Sequence, residues 1–145
     1  MVYNSQDYDI FIGIDVDQKS FSFTVKDHGQ MNRSLRIPAD PENLYHHIEN
    51  IYNGKRVICA YETGGSGYHL HDYLTSRDIR CLMVPPVSIP KAGNDRTKNN
   101  RLDSEKISQH LKNGDMSPIR VPDYDFRELR QLIRSRQDYV NLGRI

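Results

Sequence analysis

Cysteine is scarce in this chain: two residues, Cys59 and Cys81, among 145. Both sit in apolar, strand-like runs, so they read as reduced core residues. A disulfide or metal staple is not needed, because a chain of this length is one domain able to bury about two-thirds of the surface its unfolded form exposes. Long apolar runs are also lacking. None approaches the ~20 residues that cross a bilayer, and nothing resembles a signal peptide. With reduced cysteines, these absences give a soluble, cytoplasmic protein without membrane contact as the expectation. A strong charge is lacking too. The net charge is +1, but residues 1–62 carry 6 Lys+Arg against 9 Asp+Glu, and residues 63–145 carry 14 against 10. The basic surplus of the second half is a modest signal for a polyanionic partner, and solvated helix faces also produce such a surplus. Finally, the glycine-rich turn Thr63-Gly-Gly-Ser-Gly67 lacks the Gly-Lys-Ser/Thr of a nucleotide-binding P-loop. A second Asp-Gly phosphate turn, which an actin-like or sugar-kinase domain needs, is missing as well.

What is present centres on Phe11-Ile-Gly-Ile-Asp-Val-Asp17, an apolar run broken by the carboxylate of Asp15. A buried ionised Asp is costly unless something pairs with it. Residues 1–9 are polar without periodicity and are predicted to be a flexible tail. Residues 10–16 read as a strand. Ser20 to Val25 alternates Phe21, Phe23 and Val25 with polar residues, the period of a half-buried strand. Asp27-His-Gly-Gln30 supplies a turn, and Met31 to Ile37 a third strand with Met31, Leu35 and Ile37 inward, giving a meander that Pro38 ends. Asp40-Pro41 opens a helix with Leu44, Ile48 and Ile51 inward, and Asn53-Gly54 stops it.

Lys55 to Tyr61 is predicted as a strand buried on both faces, ending at Glu62. A helix to about Ser76, carrying Tyr68, Leu70, Tyr73 and Leu74, and a strand Cys81–Val84 complete a parallel crossover unit. Pro85, Pro86 and Pro90 lead into a polar loop with Lys91, Arg96 and Lys98 against Asp95. That loop reads equally as a phosphate-contacting segment or as solvated surface. Arg101 to Asn113 is a predicted helix closed by Gly114, and Ile119 to Val121 a short strand or extended crossing. From about Asp123 or Asp125, Phe126, Leu129, Ile133 and Val140 fall at heptad-like positions, with Arg127, Arg130 and Arg134 on another face.

Three meandering strands, a helix, a strand-helix-strand unit and further helices follow the order of the ribonuclease H-like fold. The first and fourth strands are neighbours there, so Asp15 and Glu62 are expected to approach. Two such carboxylates repel, and a magnesium (or manganese) ion with hard oxygen ligands resolves the conflict. Asn100, Asp103, Ile107 and Leu111 step by three, four and four, which aligns them on one helix face with Asp103 and Asn100 hanging over the sheet edge. Each acid also has an ordinary reading. A Gly-Ile-Asp strand opens actin-like ATPases, Glu62 suits a turn cap, and Asp103 near a helix start complements the macrodipole. The six histidines are not spaced as mutual ligands and read as structural or surface residues.

Phe11-Ile-Gly-Ile-Asp15, Tyr61-Glu-Thr-Gly64, Val84-Pro-Pro86, Thr97-Lys-Asn-Asn-Arg-Leu-Asp-Ser104 and Ile119-Arg-Val-Pro122 together resemble the N-terminal half of the insertion-sequence-110 family of transposases, relatives of the Piv DNA invertase. The resemblance implies a RuvC-like domain over 10–122: an α/β, ribonuclease H-like mixed five-stranded sheet flanked by helices. It implies a DEDD metal site, in which Asp15, Glu62 and Asp103 match three acids and Asn100 stands where the family has the remaining Asp. It further implies that residues 123–145 begin a coiled coil through which the protein forms homo-oligomers, followed in the family by a Ser-bearing domain that this chain lacks. The implied function is DNA strand cleavage and exchange in transposition by a recombinase in the bacterial or archaeal nucleoid, with an element-encoded guide RNA. Lys91, Arg96, Lys98 and Arg101 would contact nucleic-acid backbone. The alternative is a non-catalytic nucleic-acid-binding and dimerisation module, weakened at the metal site by Asn100.

Overall fold

The structure is a computed structural model and describes residues 3–64, 67–86 and 103–122. The expected basic loop with Lys91, Arg96, Lys98, Asn100 and Arg101, and the expected heptad helix over 123–145, lie outside the described residues. Among the described residues, five strands and three helices follow one another as β1 (Ile10–Val16), β2 (Ser20–Asp27), β3 (Asn32–Pro38), α1 (Pro41–Tyr52), β4 (Val57–Glu62), α2 (His69–Thr75), β5 (Arg80–Val84) and α3 (Ser104–Asn113). They form one sheet in the order β3-β2-β1-β4-β5. β1 runs antiparallel to β2 and parallel to β4, and β4 runs parallel to β5. This mixed sheet, with helices on both faces, is the ribonuclease H-like fold.

Alternation along β1 divides the core in two. Ile10, Ile12 and Ile14 face the α1 and α2 layer together with Val57, Cys59, Tyr61, Cys81 and Met83. Phe11 faces the other way, with Ile58, Ala60, Leu82 and Val84, against Ile107 and Leu111 of α3. Covering on both faces is why β1 and β4 are nearly continuous apolar runs. Full burial of each of these large side chains contributes about 1.5–3 kcal/mol. Cys59 and Cys81 are buried free thiols.

The local signals act as expected at most boundaries. The Asp27 carboxylate accepts from the amides of Gly29 (2.8 Å) and Met31 (3.1 Å), which closes the β2–β3 turn. Asp40 caps α1 by accepting from the Glu42 amide at 3.0 Å, with Pro41 in the first turn.

Several expectations are corrected. The inward stripe of α1 is Pro41, Leu44, Ile48 and Tyr52. Ile51 is 49% exposed, because the buried positions 44, 48 and 52 step by four and leave 51 off the stripe. Leu35 is 40% exposed, because β3 is an edge strand; Met31 and Ile37 pack only partly. Residues 3–9 are not a loose tail. Ser5–Asp7 form a 3-10 turn, and Tyr3, 9% exposed, packs beside Leu111 and Met116. Its hydroxyl donates to the carbonyl of Leu111 at 3.3 Å and accepts from the amide of Met116 at 3.3 Å. Ile119 follows the extended-crossing reading, its amide donating to the Met83 carbonyl at 2.8 Å outside any regular strand.

Candidate functional site

The site is built where β1 and β4 end. Their parallel register pairs Ile10 with Val57 and continues to Ile14 with Tyr61. One further step in that register sets Asp15 beside Glu62. Both side chains share the parity of Phe11 and Gly13 on β1 and of Ile58 and Ala60 on β4, so both belong to the α3 face of the sheet. Neighbouring strands are about 4.8 Å apart. Two acids therefore share one face at one level, and both are half-buried. β5 closes the row with Val84, the register partner of Glu62.

The turn after Glu62 is tied down from both sides. The Thr63 amide donates to the Val84 carbonyl at 2.8 Å. The hydroxyl of fully buried Tyr61 donates to the Gly67 carbonyl at 2.8 Å and accepts from the His71 amide at 3.3 Å. These bonds hold the end of β4 against the start of α2, and Glu62 with it.

Helix α3 lies across this face with its first turn at Gly13. A side chain there has no room: a Cβ would collide with the Ser104 carbonyl oxygen and fall 2.5 Å from the Ser108 amide nitrogen. The glycine in this strand exists for that close approach. Hydroxyl contacts lock the crossing. Ser108 Oγ donates to the Phe11 carbonyl at 2.8 Å, and Ser104 Oγ lies 2.8 Å from Thr24 Oγ1, which in turn lies 2.9 Å from Ser34 Oγ. Lys26 Nζ, on a nearly buried side chain, is 3.9 Å from Glu105. At the far end Lys112 Nζ donates to the Gly29 carbonyl at 3.1 Å. Gly29 lies in the turn beyond Asp27, which pairs with Ile10 at the start of β1. Helix α3 therefore runs antiparallel to β1, and its N-terminus points toward Asp15.

Asp103 stands at that N-terminus. It was expected inside a helix beginning at Arg101. Instead it is the cap: its backbone is extended (φ −78°, ψ 165°) and its Oδ1 accepts from the Lys106 amide at 2.8 Å. The stripe that packs on the sheet is Ile107, Ser108 and Leu111. The helical spacing argument thus holds for Ile107 and Leu111, while Asp103 reaches the same end of the sheet through its capping geometry. Asp103 is exposed.

Among the described residues, no three His, Cys, Asp or Glu side chains converge closely enough to hold a metal ion. Asp15 and Glu62 are brought together by register, and Asp103 is brought to the same end of the sheet by α3. Asn100, Lys91, Arg96, Lys98 and Arg101 lie outside the described residues. Sequence reasoning missed Gly13 and Thr24. Gly13 had a readable signal, a glycine inside an otherwise bulky strand.

Two acids on adjacent parallel strands of a ribonuclease H-like sheet, at the end toward which the N-terminus of α3 points, make up the described part of the site. Residues 12–142 match the DEDD transposase family of insertion sequence IS110, and the chain belongs to that family. It is 31% identical over 135 residues to "Putative transposase y4qE" of Sinorhizobium fredii, covering 90% of this chain and 34% of that protein. It is 22% identical over 140 residues to the transposase for insertion sequence element IS1533 of Leptospira borgpetersenii, covering 93% of this chain and 40% of that one. The chain thus spans little more than a third of the length of these relatives. Among solved structures, the large terminase nuclease of the thermophilic phage G20c with bound zinc superposes with a TM-score of 0.43 at 15% identity, over 76% of this chain and 63% of that one. Its magnesium-bound form gives 0.42. Among the described residues no helix is long and apolar enough to cross a membrane.

Proposed function

We propose that this chain is the RuvC-like domain of an insertion-sequence transposase and that Asp15 and Glu62, with Asp103, bind a divalent metal ion that serves DNA strand cleavage and exchange. The observation that carries the reading is the shared row of Asp15 and Glu62 on the face crossed by α3. The donor set fits the ion. Magnesium prefers hard oxygen ligands, keeps several waters, and is held by one or two carboxylates together with substrate phosphates. Once bound, such an ion supplies charge neutralisation at a phosphodiester and an activated water. The chain's own contribution is to hold two acids in one row, to keep Glu62 fixed through the Tyr61 and Thr63 bonds, and to present the positive end of the α3 dipole at the same place.

Lys91, Arg96, Lys98 and Arg101 enter the chain directly before Asp103 and are proposed to contact DNA or an element-encoded guide RNA through phosphates. Asn100 is proposed as a neutral oxygen donor beside the acids. Residues 123–145 are proposed as the start of a coiled coil that pairs two copies. The protein would act in the cytoplasm at the nucleoid.

A second reading, a nucleic-acid-binding and dimerisation module without catalysis, is favoured by one observation: the described acids do not form a three-ligand cluster. Calorimetric titration with manganese separates the two. Binding to the wild type that is lost in Asp15→Ala and in Glu62→Gln supports the metal centre. No binding, or binding indifferent to both substitutions, removes it.

A further inference from the structure

The row that contains Asp15 and Glu62 continues across the sheet. Asp15 pairs with Ser22 on β2, and Ser22 pairs with Arg36 on β3. Directly opposed residues of antiparallel strands share a face, and the contacts confirm the parity: Thr24 of β2 meets Ser104 of α3, and the Nε of Arg36 donates to Ser20 Oγ at 3.0 Å. One level of the sheet therefore reads Val84, Glu62, Asp15, Ser22, Arg36, from an apolar end through two acids to a guanidinium.

Helix α3 covers only part of this face. It reaches Gly13, Thr24 and Lys26 and begins at Ser104 over Gly13, so Ser22 and Arg36 lie beyond its first turn on the side of Asp15. The result is a polar shelf beside the acids. Ser20, 8% exposed, anchors the guanidinium through Nε, the nitrogen farthest from the Nη fork that matches a phosphate. Asp15 and Arg36 are two strand spacings apart, about 10 Å.

We propose that Arg36 is a DNA-contacting residue. It binds a backbone phosphate of the strand whose reacting phosphodiester lies at Asp15 and Glu62, and the Ser20 tether orients its fork. The proposal rests on the reading of those two acids as the reacting centre. An ordinary alternative exists, since cations on edge strands also block sheet-to-sheet pairing. The structure supplies its own control. Arg33 sits on the same edge strand, opposite Val25, and so faces the α1 side of the sheet. Edge protection treats the two arginines alike, and a phosphate shelf does not.

The test is fluorescence anisotropy of a labelled DNA duplex with the whole chain, in EDTA, over a series of salt concentrations. Arg36→Gln is expected to weaken binding roughly tenfold at low salt and to reduce the salt slope by about one. Arg36→Lys should restore the slope but only part of the affinity, having the charge without the fork. Arg33→Gln should change neither. Equal effects of the two Gln variants, or an unchanged slope in Arg36→Gln, would overturn the proposal. Ser20→Ala keeps the guanidinium and loses only the tether. It should weaken binding without lowering the slope, and it reads out the proposal should Arg36→Gln prove unfolded by circular dichroism; unchanged binding in Ser20→Ala would then count against the shelf. Manganese titration of Arg36→Gln should match the wild type. Metal binding with no Arg36 effect sinks this proposal alone, whereas an Arg36 effect without metal binding sinks the metal reading alone.

Discussion

Replacing Gly13 by alanine is expected to destabilise the fold by about 3 kcal/mol or more, against the direction that strand chemistry suggests. Alanine in a strand interior is ordinarily favoured over glycine by roughly 0.5–1 kcal/mol. At Gly13 the added Cβ would meet the Ser104 carbonyl oxygen and the Ser108 amide nitrogen, both backbone atoms, with the Ile107 Cβ 2.9 Å away. None of these can rotate aside. Overpacking of this kind costs about 1–3 kcal/mol and occasionally more, and here it acts on the helix that buries Ile107 and Leu111 fully. At ~2–4 °C per kcal/mol for a chain of this size, the melting temperature should fall by about 6–12 °C. Thermal melts followed by far-ultraviolet circular dichroism measure it. Gly64→Ala is the control, since a Cβ there meets nothing within 4 Å among the described residues, and it should melt near the wild type. If Gly13→Ala melts at or above Gly64→Ala, the close crossing of α3 over β1 is wrong, and with it the approach of Asp103 to Asp15.

Asp103 should separate its two roles by substitution. Asp103→Ala loses the cap and is expected to cost about 0.5–2 kcal/mol, while Asp103→Asn keeps the cap, should unfold at the same urea midpoint as the wild type, and should weaken manganese binding if the carboxylate is a ligand. Burial, with Arg33 nearby, holds the His47 imidazole below its ordinary pKa. As pH falls through about 6.5 the unfolded chain therefore takes up a proton before the folded one does, and stability should decline. The urea midpoint of His47→Phe should fall less between about pH 7 and pH 5 than that of the wild type, and an identical decline in both would contradict the half-buried, neutral ring. Burial also pushes both the Cys59 and Cys81 thiols up, so a thiol-reactive dye should label neither in native buffer and both in denaturant; native labelling of either would place it outside the core.

The sequence announced the sheet through periodicity. Alternation in Ser20 to Val25, the doubly covered runs at β1 and β4, and the cap at Asp40 each state one local rule that the fold does not override. The misplaced details have two origins. Ile51 lies off the stripe through the phase of its own helix, set by positions 44, 48 and 52, while the burial of Leu35 depended on where the sheet stops. Tyr3 looked loose because its partners, Leu111 and Met116, are more than a hundred residues away. Of the site, the adjacency of Asp15 and Glu62 followed from fold order alone. The Ser22 and Arg36 row did not, because hairpin register is set by how the Asp27 turn closes, and a slip of one residue would have moved Arg36 to the opposite face.

The hydroxyl of Ser108 bonds the carbonyl of Phe11 across 97 residues of chain, and this has a consequence for the timing of synthesis. The meander and β4 are complete once Glu62 has been made, so the two acids can stand side by side early. The helix that crosses Gly13 beside them arrives only after Asp103 and the ten residues behind it, which at ~5–20 residues per second takes a further ~3–10 s. During that interval Gly13 and Thr24 are open, and closing so long a loop is the slow, late event. A chain interrupted before Leu111 would own both acids of the row and no helix to cover them, so the completed crossing of α3 marks when the site comes into existence.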